Sequence, residues 1–579
     1  VRPHPRRSRA AVPALVLLVL AALLAGCSGG DPADTAVPTV GGTADGGLDG
    51  VRSPSDATGG TLRLVAGQLD SLDPQRSSLP AVWNLMRLYT RTLVTYSSTP
   101  GSTDQLVPDL ANDLGTTPDG GRTWTFTLRP GATFETGRPI TSRDVKYGIE
   151  RSFAVDVLSG GPNYVLDLLD PDSLYAGPYQ DESPDRLGLS TIATPDDTTI
   201  TFTLSRADPD FPFVLALPSA SPVPAENDTA ADYGADPISS GPYAITSVDP
   251  ETGIVLDRNP AWAADSDPVR TALPDQVVVR TGLTGLDRDQ ALLAGSADAD
   301  LSGSGVQEAT VARFGADDGL AGRADELTTG TVRLLALPTT VAPMDVPDCR
   351  AAVAAVVDRS GVQEALAETG DSVRSSVLWP RSLAGGPDDP DPAADPDAAR
   401  QALAACGQPD GFPVTMAAPD VPSTLAVAQA LVDQFAAVGI VVTVVPLPAA
   451  TYYTAGIGSP AAITTGGYGM VLANYSRDLP TPAAFLVPLV DSRSISDGAG
   501  NANYALLSDP GVDAAVDAAV GAGDVAAWAA VADTALATHA FVPLVENRVQ
   551  LLAGQRLHNG VVMLPYNGYD VATAGVADG

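Results

Sequence analysis

Residues Leu106–Phe153 read LVPDLANDLGTTPDGGRTWTFTLRPGATFETGRPITSRDVKYGIERSF, and two patterns within them decide the fold. The first is Thr123–Arg129, TWTFTLR, where Trp124, Phe126 and Leu128 alternate with polar residues. A period of two places all three on one face of a half-buried strand. The same alternation returns at Thr199–Ser205, TITFTLS, through Ile200, Phe202 and Leu204, so the two segments are expected to lie side by side in one small sheet. The second pattern is Thr141-Ser142-Arg143-Asp144, a capping box with Asp in the usual Glu position, after which Val145, Ile149 and Phe153 recur at helical spacing. A helix is expected to begin near Ser142.

Towards the carboxyl end, Asp348 can cap a helix over 349–366. Ser423 can cap another, whose Leu425, Ala428, Leu431, Phe435 and Val438 form an apolar stripe closed by Gly439. Ile440–Val445 follows at once as an apolar, β-branched run, which reads as a buried strand. Helix, glycine and buried strand in succession make an α/β unit, so this half should carry a sheet with helices packed on it.

Towards the amino end, a basic stretch at Arg2–Arg9 precedes an apolar run of 15 residues, Ala11–Ala25. That run is shorter than the ~20 residues needed to cross a bilayer, and with its charged front it reads as an export signal. It ends in Leu24-Ala25-Gly26-Cys27, which resembles the bacterial lipobox; the resemblance makes Cys27 the first mature residue and the lipid anchor. Residues 27–59 lack aromatic residues and are dense in Gly, Pro, Asp and Thr, so they read as a flexible tether. A coil of that length reaches roughly 30 Å.

The bulk numbers bound the function. The chain has 579 residues, 44% hydrophobic and 18% charged, with a net charge of −36. It can bury several cores. Such a negative surface opposes nucleic acid binding, which needs a basic patch. The single lysine, Lys146, follows Val145 and not Gly, so there is no Walker A motif and ATP hydrolysis must come from other subunits. Beyond the leader the only histidines are His539 and His558, and no G-x-S-x-G or H-E-x-x-H motif is present, which argues against a hydrolase. No metal or cofactor site is expected. Besides Cys27 the cysteines are Cys349 and Cys406; in an exported protein they read as a disulfide, the alternative being two buried thiols.

At this point the chain resembles the family 5 extracellular solute-binding proteins, which include oligopeptide- and dipeptide-binding proteins. Leu106–Phe153 carries the resemblance most specifically. Leu72-Asp73-Pro74, Gly241-Pro242-Tyr243, LDRNPAW at Leu256–Trp262, CRAAVAAVVDRSGV from Cys349 and DPDAARQALAACG at Asp395–Gly407 extend it. The resemblance implies an α/β, bilobal, periplasmic-binding-protein type II-like fold with an extra small α+β domain and a discontinuous first lobe. The expected order is leader 1–26, tether 27–59, first lobe 60–100, small domain 101–237, first lobe 238–327, second lobe 328–544 and first lobe 545–579.

It also implies a ligand contact within Asn474–Pro482, NYSRDLPTP. Peptide-binding relatives read approximately Trp-x-x-Asp-x-x-Asp-Pro here, and their first Asp meets the peptide ammonium; Asp478 falls on that position. Tyr475 stands for the Trp and Thr481 for the second Asp, departures that bear on ligand class. Tyr475, Ser476 and Trp83 are the other ligand-binding candidates. The expected function is capture of short peptides by cleft closure, on the outer face of the cell membrane, by a monomer that delivers them to an ABC permease and its ATPase. The alternatives are a non-peptide solute such as a sugar or metal complex, a signal receptor on the same fold, and, least supported, an exported hydrolase.

Overall fold

The small sheet forms as the alternation requires: Thr123–Thr127 and Thr199–Thr203 pair antiparallel, Trp124 opposite Phe202 and Phe126 opposite Ile200, with Ile192–Asp196 on the far side of Thr199–Thr203. All four of these apolar side chains are buried. This computed structural model describes residues 46–576 except 250–251, 367–370, 384, 387–388, 477–478 and 499. The leader, Cys27, the tether as far as residue 45, and Arg477 and Asp478 therefore lie outside the described residues.

A helix spans Ser142–Arg151, starting where the capping box places it: the Asp144 carboxylate accepts hydrogen bonds from the Thr141 N–H and hydroxyl, each at 2.8 Å. Its last residue, Arg151, is fully buried and pairs with Asp73 at 2.9 Å and Asp228 at 3.1 Å. Asp73 belongs to the Leu72-Asp73-Pro74 motif, so that motif locks the small domain to the chain before it. Such a pair survives burial only because both charges are met. Glu150 on the same helix is pushed up to about 7 by burial, against the opposing pull of Lys146 and the Leu189 N–H.

A five-stranded sheet runs in space as Ala299–Asp300, Thr61–Val65, Gln276–Arg280, Gly253–Arg258 and Tyr243–Asp249. Thr61–Val65 is parallel to both neighbours, with Leu64 opposite Ala299 on one side and Val279 on the other. This layer is thus built from segments on both sides of the small domain. A six-stranded sheet runs as Asp371–Arg374, Phe541–Leu552, Ala324–Ala336, Tyr468–Ser476, Pro413–Pro419 and Val441–Leu447. Separate apolar clusters fill its two faces, Val332 and Leu334 in one and Leu335 and Leu337 in the other.

Ala324–Ala336 and Phe541–Leu552 form an antiparallel ribbon that joins the lobes. Leu327 and Leu551 pack in the first-lobe core, whereas Val332, Leu334 and Phe541 pack in the second. The register breaks between Thr328 and Val332, and Gly330 there has φ +75°, a conformation that glycine adopts without strain. The expected lobe boundaries at 327/328 and 544/545 both fall on this ribbon.

Several expectations change. Cys349 does not open a helix capped by Asp348: the helix is Pro347–Val356, and a second, Arg359–Leu366, follows after a break. The later helix is Pro422–Ala436, so Ser423 lies inside it. In both, a proline occupies the first turn, where its fixed φ and missing N–H carry no penalty. The apolar run after Gly439 forms Val441–Leu447, an edge strand with Val441 largely exposed, not a buried one. From residue 46 the segment expected to be free tether is docked: Arg52 is buried, pairs with Asp325 at 3.0 Å and bridges to Gly560, and the Gly47 N–H donates to Asp325 at 2.7 Å. Cys349 and Cys406 are joined in a disulfide, Cα atoms 5.3 Å apart, tying Pro347–Val356 to the end of the helix Pro396–Ala405. No helix among the described residues is long and apolar enough to cross a membrane.

Candidate functional site

A cavity of about 1010 Å³ opens between the small domain and the second lobe. One wall comes from the helix Tyr164–Leu169 and the turn Arg206–Asp210; the other comes from Tyr475 and Ser476 and the helices Pro482–Val490 and Val525–Ala537.

Tyr475 and Ser476 end the strand Tyr468–Ser476 and so project from the sheet's rim into the cavity. The Tyr475 ring meets Phe485 edge-on at 4.9 Å, and Ser476 Oγ hydrogen-bonds Thr331 Oγ1 at 2.8 Å on the neighbouring strand Ala324–Ala336. Asp478 lies outside the described residues, but Ser476 and Leu479 on either side of residues 477–478 both line the cavity. Leu479 packs into the first-lobe core. Thr481 caps Pro482–Val490 by accepting the Ala484 N–H at 3.2 Å.

Trp83 stands apart from these residues. It is 6% exposed, its indole N–H donates to the Ser77 carbonyl at 3.0 Å, and it does not line this cavity. Its helix, Pro80–Met86, instead contributes Pro80 and Ala81 to a second recess of about 190 Å³ with Gln68, Leu69 and Tyr566.

The large cavity is acidic: six aspartates line it against Arg206 and Arg493. Arg493 is already engaged, at 2.7 Å from both Asp491 and Asp517. Burial would raise the Asp491 carboxyl, but its hydrogen bonds from the Arg493 side chain and N–H hold it below the usual range. On the opposite wall Asp210 is pushed up to about 6 by burial and by the repulsion of Asp208, against a hydrogen bond from Thr481. Asp208 is likewise raised by burial, against the Asp210 N–H at 2.9 Å and nearby Arg206. Two carboxylates with weakened ionisation thus stand on one wall of the cavity, where a cation brought beside them would restore their charge. Sequence reasoning missed Asp208, Asp210, Asp491 and Trp528. Asp208-Pro209-Asp210 reads as an ordinary turn, and only the approach of Thr481 makes it a wall.

Among the described residues no group of His, Cys, Asp and Glu side chains could hold a metal ion. His539 and His558 do not line the cavity.

The sequence pattern of the bacterial extracellular solute-binding proteins, family 5, matches residues 105–497. Heme-binding protein A of Haemophilus influenzae is 26% identical over 73% of this chain and 74% of its own length. Peptide transport periplasmic protein SapA of Salmonella typhimurium is 24% identical over 78% of this chain and 80% of its own. The solved structure of clavulanic acid biosynthesis oligopeptide binding protein 2 is 38% identical, covers 94% of this chain and all (100%) of that one, and superposes with a TM-score of 0.88.

Proposed function

The chain belongs to the family 5 bacterial extracellular solute-binding proteins of ABC importers, and from that membership we propose that it captures short peptides by cleft closure and hands them to a permease while held to the outer membrane face through a lipid on Cys27. The cavity carries this reading. Its volume of about 1010 Å³ stands at the top of the usual range for small-molecule pockets (about 300–1,000 Å³), which suits an extended oligopeptide more than a single amino acid. Its acidic walls suit a ligand that enters with an ammonium group. The likeness to an oligopeptide-binding structure points the same way.

Mechanistically, an extended peptide offers its main chain for hydrogen bonding to both walls, while its side chains sit in wet pockets that impose little selection. The guest touches both lobes only when they are shut, so binding free energy favours that state alone. The Thr328–Val332 break in the ribbon is a natural place for the rotation. The protein performs no turnover; the guest leaves intact.

Mass spectrometry of what is released on denaturing the purified protein tests this directly. Intact short peptides are the expected result. Recovered haem or sugar would move the ligand to another class on the same fold, and hydrolysis products would reopen the enzyme reading. Small-angle scattering should show the radius of gyration falling at saturating ligand; an unchanged radius counts against closure.

A further inference from the structure

Leu479 is where the second lobe enters the other half of the molecule. Among the described residues, the core shared by the first lobe and the small domain takes one buried apolar side chain from residues 328–544, that of Leu479, with Ala484 packed against it as a partly buried neighbour. Leu168 and Val214 of the small domain belong to the same core and line the same cavity as Leu479. Although it stands at that cavity, Leu479 is only 3% exposed. An apolar side chain covered by the opposite wall keeps its burial only while the walls stay together.

The segment that carries it is short and held at both ends by the second lobe. Tyr468–Ser476 buries Val471 and Ala473, and Pro482–Val490 buries Phe485, Leu486 and Leu489, all in one second-lobe core. That leaves residues 477–481 to reach across. The Thr481 N–H donates to the Leu479 carbonyl at 2.8 Å, which ties the two residues into one turn. Thr481 is also 3% exposed; its hydroxyl oxygen accepts the Ala484 N–H at 3.2 Å, and the hydroxyl donates to Asp210 on the opposite wall. One apolar and one polar contact therefore join the walls through the same turn.

We propose that Leu479, together with the Thr481–Asp210 hydrogen bond, is the latch that holds the lobes shut, and that it tightens the binding of every guest alike. The assignment rests on the capture by closure described above. Affinity is that of the shut form scaled by how readily this form is populated, so a contact between the walls multiplies all affinities by one factor. At 3% exposure Leu479 offers a guest almost no surface, so it strengthens binding without choosing among guests.

Calorimetric titration of wild type, Leu479→Ala and Thr481→Asp with alanine tri- to pentapeptides, and with the same peptides carrying one Lys, Glu or Phe, tests it. Leu479→Ala should weaken all of them by one shared factor of about tenfold or more. Thr481→Asp keeps a residue that caps helices but sets a second carboxylate beside Asp210. It should likewise weaken binding about tenfold at pH 7.5, and Asp210→Asn in the same chain should restore most of the loss. Unchanged affinity in either single variant overturns the proposal. A loss in Leu479→Ala that varies with the peptide's side chain overturns it too, by making the residue a guest contact. So does a fall in the ligand-free melting midpoint with affinity kept, which marks an ordinary core residue. Should no peptide bind wild type, the peptide reading of the function fails by itself. The latch is then judged without a guest, by the distance between spin labels on Leu174→Cys and Val441→Cys, both exposed, one on the small domain and one on the second lobe. A shut population that shrinks in Leu479→Ala upholds the latch, and identical distance distributions overturn it.

Discussion

Asp210 shows how a wall residue can work against stability. Its carboxyl titrates near 6 in the folded protein, against 3.8 as the ordinary value. The folded state therefore holds a proton that the unfolded chain has released, and this contribution is full below about pH 4 and lost as pH rises through about 6. Asp210→Asn, which stays neutral, should stabilise the ligand-free protein at pH 7.5 by on the order of 1 kcal/mol after solvent screening and leave it unchanged at pH 4; calorimetric melting at both values checks this. Asp478→Ala is expected to weaken peptide binding by roughly two orders of magnitude, since it would leave an ammonium unpaired in the cleft; unchanged affinity in a titration would remove that role. Motif likeness pointed in the sequence to Tyr475 and Ser476, which line the cavity. Asp210 was not legible there, because what marks it is a relation to a residue far along the chain, Thr481.

Among the elements, Ser142–Arg151 lies against the segment 219–223 so closely that its geometry depends on one glycine. A Cβ on Gly148 would stand 2.0 Å from the Ser221 carbonyl oxygen. Alanine is the better helix former by about 1 kcal/mol, yet the overlap should outweigh it. Gly148→Ala is expected to destabilise by about 1–3 kcal/mol net in urea unfolding, and a gain in stability would show that the contact yields. Elements were legible wherever a local rule acts alone. Alternation of Trp124, Phe126 and Leu128 fixes a face, and Asp144 closes a cap three residues back. They were misread where two local rules compete, as at Pro347 and Pro422 with their flanking acid or serine. The strand Val441–Leu447 was misjudged for a different reason: β-branched apolar residues suit an edge and a centre alike, and which one results depends on how many strands follow.

At the scale of the molecule, the disulfide closes a loop whose ends are 57 residues apart within the second lobe. Removing it through Cys349→Ala with Cys406→Ala should lower stability by up to about 4 kcal/mol, measured by denaturant unfolding, and reductant should then have no further effect. Only family likeness suggested an order of lobes, because long ribbons such as Ala324–Ala336 carry no period that says where one core stops. Nothing in composition foretold that the segment after residue 45 docks, since its glycines and acids are those of a coil; the partner, Asp325, lies 273 residues on from Arg52. That clasp has a mechanical consequence. Any pull on the amino terminus is taken up by Arg52 at the root of the ribbon, on the first-lobe side of the Thr328–Val332 break. Closure as proposed would therefore turn the second lobe about a mount that stays still.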